Sequence, residues 1–396
     1  MVSETYPPEI NGVARTLGRM VALLAERGHS LDIVRPRQPG EPAGVIDSDG
    51  EVRKFLVQGR PIPNYRDLQV GFASPAVLET RWRANPPDVI QIVTEGPLGW
   101  SALIAARRLG IPVASEYHTN FHAYSRHYGL GLIRRGVAAG LRLFHNLCAA
   151  TMVPTAQIRD ELSNQGYRNL AVVGRGIDTR LFSPERRSEA LRASWGCEGN
   201  DPVVLYVGRV APEKNLGLFL RAALAVRAAD PRTRIVVVGD GPDASALRLA
   251  HPDITFCGVQ CGEALATHYA SADYFLFPST TETFGNVTTE AMASGLAIVA
   301  FDYAAAREHL QHGKSGLLVP FGNEASFIDA ASRLHRLGDR LAKMRVLARE
   351  AALGLSWSRI IDALEITLHR VADGQFAPPA IARHPERLTP KRTANG

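Results

Sequence analysis

The sequence is poor in cysteine and contains no long apolar stretch. Four cysteines occur among 396 residues; they are too scattered for a disulfide framework, and no C-x-x-C pair suggests a zinc site or redox chemistry. No segment approaches the roughly 18 consecutive apolar residues of a membrane-spanning helix, and the N-terminus lacks the basic and apolar regions of a signal peptide. These absences predict a cytoplasmic protein, and the chain length predicts two or three domains.

Lysine is also scarce. Of the 45 basic residues, five are lysines and 40 are arginines, and the formal net charge is +6. A positive charge favours anionic partners such as phosphates, nucleic acid or acidic lipid. No basic stretch is interleaved with aromatic residues, and no nucleic-acid-binding signature occurs, so we do not expect nucleic acid as a partner.

Several ligand-binding motifs are absent or incomplete. The chain has no G-x-x-x-x-G-K-[ST] loop, which excludes a P-loop nucleotidase, and Gly239-Asp240-Gly241 lacks the third glycine of a dinucleotide fingerprint. Asp47-Ser48-Asp49 has the D-x-D pattern that can hold a divalent ion, but it lies in a Gly- and Pro-rich stretch with no predicted buried strand before it. We therefore expect no metal site.

The apolar pattern predicts an α/β fold with two doubly wound domains. Continuous apolar runs alternate with helical patterns, which indicates parallel sheets covered by helices on both faces. The predicted strands are residues 88–93, 112–115, 150–153 and 171–173 in a first series, and 203–207, 235–238, 254–256, 274–277, 297–300 and 317–319 in a second.

Domain boundaries follow from the two series. We place an N-terminal domain at residues 1–180 and a second domain at 197–355, with an irregular linker at 179–202. An amphipathic helix at 356–372 follows the last strand and could pack on either domain, including back on the first. Residues 375–396 are expected to form a disordered basic tail.

In the second domain, two loops that follow predicted strands carry candidate chemistry. After strand 274–277, Glu282 and Glu290 flank a predicted helix start, at the strand end where open α/β sheets bind ligands; acidic residues there are also favourable with the helix dipole alone. After strand 203–207, Arg209 and Lys214 can clamp a diphosphate, although most such pairs are simply solvated cations.

The first domain offers two further candidates. Gly12 lies in a polar loop before a predicted helix at 14–27 and would allow close backbone approach to a ligand. His118 follows strand 112–115, at the cleft end, although a lone histidine is more often a satisfied core or surface residue. Only Met1–Ser3 represent the first strand, so we expect the chain to begin at an internal start that omits part of that strand.

In this order over two α/β domains, Gly12, His118, the Arg209 to Lys214 loop and the Glu282-x7-Glu290 pair resemble the retaining glycosyltransferases of family 4, which have the GT-B fold. The resemblance runs from about Glu4 to Arg370. Segments 116–121 and 282–287 are most similar to GDP-mannose-dependent α-mannosyltransferases. The resemblance implies an enzyme that moves a hexose from a nucleotide sugar to a hydroxyl group with retention.

The resemblance also implies a catalytic set of His118, Arg209, Lys214 and Glu282. Arg209 and Lys214 would hold the donor diphosphate and stabilise the charge that develops as it leaves. Glu282 would bind hydroxyls of the donor sugar, and His118 would contact the sugar and the neighbourhood of the acceptor hydroxyl.

Further residues are implied in donor binding. Glu290 would bind the ribose hydroxyls, and Gly12 would approach the diphosphate. Backbone groups around Val259 would meet the nucleobase. The amides near the sugar would come from the segment that contains Phe284, Gly285, Asn286 and Val287.

The implied donor is GDP-mannose, with a UDP-hexose as the alternative, and no cofactor or metal is required. Less favoured alternatives are a nucleotide-sugar epimerase or hydrolase and a non-catalytic sugar-nucleotide sensor. A sensor would be free to lose Glu282 or Lys214, so the intact charged set argues against it.

The acceptor is expected to be a hydroxyl compound, with a membrane lipid or lipid-linked glycan as the candidate. Residues 129–147 form a predicted amphipathic helix with Arg135 and Arg142 a heptad apart, which could lie on the anionic inner face of the cytoplasmic membrane. The alternative is a domain helix that buries its apolar face. Because the first strand is short, we expect weak anchoring of the loop from Glu4 to Gly12, with acceptor use affected more than donor binding.

Overall fold

This computed structural model describes residues 1–9, 11–38, 40–41, 44–47, 51–62, 65–118 and 133–376. Its strands are β1 Leu31–Pro36, β2 Gly44–Asp47, β3 Val52–Ile62, β4 Tyr65–Phe72, β5 Ile90–Ile92, β6 Val113–Glu116, β7 Ala150–Val153, β8 Leu170–Val172, β9 Val203–Val207, β10 Arg234–Val238, β11 Thr255–Phe256, β12 Tyr274–Phe277, β13 Ala297–Phe301 and β14 Leu317–Val319.

Fourteen α-helices lie within these ranges. They are α1 Gly12–Glu26, α2 Pro75–Ala84, α3 Pro97–Leu109, α4 Ile133–Asn146, α5 Ala156–Asn164, α6 Glu189–Ser194, α7 Leu216–Ala229, α8 Ala244–Ala250, α9 Gly262–Ala270, α10 Asn286–Ala293, α11 Ala304–His309, α12 Glu324–Ser332, α13 Asp339–Leu353 and α14 Trp357–Ala372. None of these helices combines the length and the apolar composition of a membrane-spanning segment.

The second domain contains a six-stranded parallel sheet in the order β11-β10-β9-β12-β13-β14. Strands β9, β12 and β13 are buried throughout, because their continuous apolar runs meet helices on both faces. The strand order reverses direction between β9 and β12. This is the topological switch point, where open α/β sheets bind ligands beyond the strand ends.

The first domain is built on the same plan. Strands β5 to β8 form one parallel half, and β1 pairs in parallel with β3 in the other. Val2 joins the halves through parallel bridges to Val34 in β1 and Ile92 in β5. The switch point therefore lies at the first strand position, directly before the loop that leads to Gly12.

Strands β1 to β4 were not among the predicted strands. Charged residues interrupt β1 at Asp32 and Arg35 and β3 at Arg53 and Lys54, so neither strand shows a continuous apolar run. Strand β3 also extends beyond the parallel sheet and pairs antiparallel with β2 and β4.

The chain crosses between the domains twice, and the crossings touch. The Ile177 amide donates to the Leu355 carbonyl at 2.9 Å, and Ile177 forms a parallel bridge with Ser356. After its crossing, α14 packs on the first domain, where Ile361 and Leu364 are fully buried beside Met20 and other residues of that domain.

The segment at 179–202, which was predicted to be a linker, contains ordered structure. Helix α6 lies within it, and Arg192 in this helix is 1% exposed and donates to the carbonyls of Ser271 and Asp201. Arg349 in α13 donates to the Thr179 carbonyl at 2.9 Å. These contacts hold the segment after Ile177 on the second domain.

Replacement of Gly176 by alanine tests the crossing. A Cβ atom there would lie 2.6 Å from Cδ2 and 2.8 Å from the Cα of Trp357, so the two crossings would have to separate. We expect Gly176→Ala to destabilise the protein by about 1–3 kcal/mol, as overpacking does, and to lower the calorimetric melting temperature. The control is Gly217→Ala in α7, where a Cβ meets no atom within 4 Å and alanine favours the helix. Equal melting temperatures for the two variants would contradict this view of the crossing.

Candidate active site

The two switch points face each other across a cleft between the domains. Thr283 Oγ1, in the loop after β12, donates to the His118 carbonyl at 2.6 Å. The Ala304 amide donates to Gln157 Oε1 of α5 at 3.3 Å, and a Cβ on Gly12 would lie 3.7 Å from Asn286 Nδ2. Candidate residues predicted from four separate loops are therefore brought to one place.

Glu282 is held beside Lys214 at the switch point of the second sheet. The Lys214 ammonium forms an ion pair with Glu282 Oε1, and both side chains are 15% exposed. Ser279 Oγ donates to the same carboxylate oxygen at 2.6 Å, and the Tyr303 hydroxyl donates to the Glu282 carbonyl. The carboxylate and the ammonium thus reach the cleft together from different loops.

Arg209 is positioned by a buried carboxylate one turn further along its loop. Its Nη1 donates to Glu213 Oε1 at 3.1 Å, and Glu213 is 1% exposed. The Tyr206 hydroxyl donates to the Arg209 carbonyl at 2.9 Å. Arg209 is 34% exposed, so its guanidinium is accessible from the cleft side. The Tyr206 hydroxyl holds the Arg209 backbone in place.

The incomplete glycine motif has a packing role beside this loop. A Cβ on Gly239 would lie 1.9 Å from the Gly208 carbonyl oxygen, and one on Gly241 would lie 2.3 Å from the Val210 oxygen. Such distances are far inside van der Waals contact. Glycine is therefore needed here for the close approach of the backbones after β9 and β10.

Glu290 lies in the first turns of α10 and is 3% exposed. The Tyr269 hydroxyl donates to its Oε2 at 2.9 Å, and Arg15 of the first domain pairs with its Oε1 at 3.2 Å. Sequence reasoning missed both partners. Arg15 carried a usable signal, since it lies one turn after Gly12 on α1, whereas nothing in the local sequence pointed to Tyr269.

The amino-terminal end of α10 lies beside Glu282 and lines the site there. Gly285 has a φ of +90° and caps the helix that Asn286 and Val287 begin. The Phe284 carbonyl accepts from the Ala305 amide at 2.7 Å, and the Phe284 side chain is 5% exposed against the ring of His309. Burial lowers the pKa of His309 to about 4, so this neighbour is neutral at pH 7.

Val259 lies apart from these groups, on the loop after β11, and is 56% exposed. The Gly258 carbonyl of this loop accepts from the Gly239 amide at 2.8 Å. The loop is therefore attached to the strand end that borders the Arg209 loop.

His118 lies two residues after the end of β6 with its side chain 8% exposed, and its ring contacts Glu116 and Arg175. Burial by itself would raise the pKa of Glu116, but the facing His118 and Arg175 outweigh it and lower that pKa to about 2. Residues 119–121, which belong to the same predicted motif, lie outside the described residues.

The loop from Glu4 to Gly12 is better anchored than we expected. The Glu4 amide donates to Thr94 Oγ1 at 2.8 Å, and Glu4 Oε1 accepts from the Leu98 amide at 3.1 Å. Asn11 caps α1 by accepting from the Ala14 amide at 2.8 Å. These side-chain contacts replace the support that a longer first strand would give.

The structure describes only part of the D-x-D motif at Asp47-Ser48-Asp49. Asp47 ends β2, and Ser48 and Asp49 lie outside the described residues. Within the ranges that the structure describes, no three His, Cys, Asp or Glu side chains come together as a metal site.

Comparison with known proteins gives the family. The glycosyltransferase family 4 model matches residues 10–181, and the model of glycosyl transferases group 1 matches residues 201–336. The GDP-mannose-dependent alpha-mannosyltransferase of Mycobacterium tuberculosis is 34% identical over 366 residues, which cover 92% of this chain and 94% of that protein. The chain belongs to glycosyltransferase family 4.

More distant similarities agree with this family. The alpha-monoglucosyldiacylglycerol synthase of Streptococcus pneumoniae is 26% identical over 76% of this chain and 70% of that protein. The sucrose-phosphate synthase of Thermosynechococcus elongatus has a TM-score of 0.76 at 18% identity, covering 94% and 99% of the two chains. The family 4 protein is thus a hexosyltransferase with the GT-B fold, as the sequence predicted.

The Glu4 anchor makes the stability of this glycosyltransferase pH-dependent. Burial raises the pKa of Glu4 from 4.5 to about 7, so the folded protein holds a proton that the unfolded chain releases at lower pH. Stability from this group is present below pH 4.5 and is lost as the pH rises through 7.

We therefore expect the melting temperatures of wild type and Glu4→Gln to be similar near pH 5. They should separate as the pH rises to 8, with the glutamine variant more stable, because glutamine keeps the acceptor for the Leu98 amide without a charge. Parallel melting curves across this range would contradict the assignment.

Proposed function

We propose that this family 4 enzyme transfers mannose from GDP-mannose to a hydroxyl group, with retention and without a metal ion. The observation that carries the proposal is the convergence of Lys214, Glu282, Arg209 and Glu290 at one switch point, opposite Gly12 and His118. The choice of donor is supported by the 34% identical mannosyltransferase. A UDP-hexose remains the alternative donor.

The cations act on the leaving group. As the bond from the anomeric carbon to the diphosphate oxygen breaks, negative charge grows on the phosphate. Arg209 can meet it with its forked donors and Lys214 with a point charge. Because Glu213 already orients Arg209, little reorganisation of this guanidinium is needed, which is the condition for strong electrostatic catalysis.

The carboxylates of Glu282 and Glu290 bind hydroxyl groups of the donor. Glu282 would exchange its contact with Lys214 for hydroxyls of the mannose, and Glu290 would exchange Arg15 for the ribose. The acceptor oxygen then bonds to the anomeric carbon on the face that the diphosphate leaves, and its proton passes to the departing phosphate oxygen. Closure of the cleft excludes water, which would otherwise hydrolyse the donor.

A retaining glycosidase is a poorer match to these residues. That chemistry needs two carboxyl groups roughly 5 Å apart across the anomeric carbon. Here Glu282 is paired with a lysine, and Glu290 is buried under a tyrosine hydroxyl. In the proposed mechanism both carboxylates bind hydroxyl groups beside cations, and neither is placed as a nucleophile opposite the other.

For the acceptor, we propose a lipid or lipid-linked glycan met at an anionic membrane surface. One relative is named as a diacylglycerol glucoside synthase. On α4, Leu143 is 55% exposed beside the exposed Arg142, whereas Phe144 is fully buried against Trp100. The helix therefore covers the first domain with one face, and we propose that the exposed Leu143 on another face contacts lipid, beside Arg142, which donates to the Gln165 carbonyl at 3.1 Å. Failure to co-sediment with anionic liposomes at low salt would argue against this acceptor class.

Thermal stabilisation tests the donor. Ligand binding to the folded state raises the melting temperature by mass action. We expect GDP to stabilise the purified protein more than UDP, ADP or TDP, and we expect the shift to survive EDTA. A shift with UDP alone would move the donor to a UDP-hexose, and loss of the shift in EDTA would contradict a metal-free site.

Two substitutions test the assigned roles. We expect Lys214→Ala and Glu282→Ala each to lower kcat/KM for GDP-mannose by ~100-fold or more, as loss of one transition-state contact does. Matched controls are Lys343→Ala and Glu350→Ala on the exposed face of α13, which should retain wild-type rates. Near-normal rates in both site variants would contradict the proposal.

A further inference from the structure

Three ionisable side chains are packed together behind the first-domain side of the cleft. Glu116 ends β6, His118 lies two residues further on, and Arg175 follows β8. Their side chains are 2%, 7% and 8% exposed. Removing two charged groups from water costs several kcal/mol per ion, and a buried ion pair is weak evidence of a gain in stability. A role at the site is the better explanation.

The contacts form a closed ring. Arg175 Nη2 lies 3.1 Å from Glu116 Oε2 and 3.1 Å from His118 Nδ1, and His118 Nε2 lies 2.7 Å from the same Glu116 oxygen. The Gln91 amide donates to the other carboxylate oxygen. The contact at Nε2 is close but not aligned with the ring N–H direction, so its attraction is mainly electrostatic.

This ring of contacts selects one form of the imidazole. A guanidinium can donate hydrogen bonds but cannot accept them, so Nδ1 must offer its lone pair to Arg175. The ring proton then lies on Nε2, facing the Glu116 carboxylate. The hydrogen bond at Nδ1 and the electrostatic contact at Nε2 together hold the orientation of the ring.

The fixed ring also fixes the backbone at the cleft. The His118 carbonyl receives the hydrogen bond from Thr283, one residue after Glu282. Because the ring and the carbonyl belong to one residue, loss of the ring contacts with Glu116 and Arg175 would remove side-chain support from the point where the donor-binding loop meets the first domain. Misplacement by about 1 Å at such a point can cost roughly 100-fold in rate.

We propose that Glu116 and Arg175 are positioning residues that hold the His118 ring in its Nε2–H form, and hold the His118 carbonyl where it meets the donor-binding loop. The proposal rests on the proposed glycosyl transfer for its kinetic consequence. Neither residue contacts the substrate in this account.

Kinetics with a matched control test the proposal. Glu116→Gln keeps the shape of the side chain and removes its negative charge. Arg175→Lys keeps the positive charge and removes the forked N–H donors of the guanidinium. We expect each to lower kcat for mannosyl transfer by roughly 10–100-fold, with little change in KM for GDP-mannose.

The control is Asp32→Asn. Asp32 lies in the same domain at the opposite end of the sheet and pairs with Arg53 and Arg81 at 3.0 Å each, so the variant also loses two buried or half-buried ion contacts. Its kcat should remain close to wild type. Wild-type kcat in both site variants would overturn the proposal, and so would an equal loss of kcat in all three variants.

A second measurement needs no activity. The ¹⁵N spectrum of the histidine side chains, with the His118 signals assigned from a His118→Gln variant, should show the Nε2–H form in wild type and altered His118 shifts in Arg175→Lys. An Nδ1–H form in wild type would overturn the proposal. If wild type transfers no mannose, the proposed function fails while this spectrum still decides the positioning role.

Discussion

The direction of parallel strands is the constraint on which the rest of the structure depends. In each sheet, the parallel strands end at the same edge, and each sheet has one switch point where the loops diverge and leave a crevice. Val2 marks that point in the first domain, and the gap between β9 and β12 marks it in the second. Because the two edges face each other, residues that lie hundreds of positions apart in the sequence meet without any additional structural element.

Opposite charges at the cleft are paired with each other in this structure. Lys214 holds Glu282, Arg209 holds Glu213, and Arg15 of the first domain holds Glu290 of the second. Each pair satisfies groups that would otherwise be costly to desolvate. In the proposed mechanism, a nucleotide sugar would offer phosphate to the cations and hydroxyls to the carboxylates, so donor binding would replace these contacts by equivalent ones. The Arg15 to Glu290 pair also spans the domains, so binding of the ribose at Glu290, as proposed, would be coupled to the cleft itself.

The parts of the structure that could be predicted are those whose determinants lie close together in the sequence. Strands β9, β12 and β13 were predicted because buried parallel strands need uninterrupted apolar runs, whereas β1 and β3 contain charges that are paired only in the folded protein, as Asp32 is with Arg81. The four charged candidates of the second domain were predicted because they lie in the loops after β9 and β12 or, for Glu290, in the helix that follows β12. Tyr269, Arg15 and Arg175 were not found, since their partners lie 21, 275 and 59 residues away and such contacts exist only after folding.

The central claim is that the cleft holds the leaving diphosphate and the incoming hydroxyl on the same face of the sugar. The most direct test is a proton NMR time course of the wild-type enzyme with GDP-mannose and a lipid-linked acceptor, which reads the anomeric configuration of the first product formed. The account predicts an α-linked mannoside from the α-configured donor from the earliest time points. A β-linked first product would contradict it, because attack would then come from the face opposite the diphosphate.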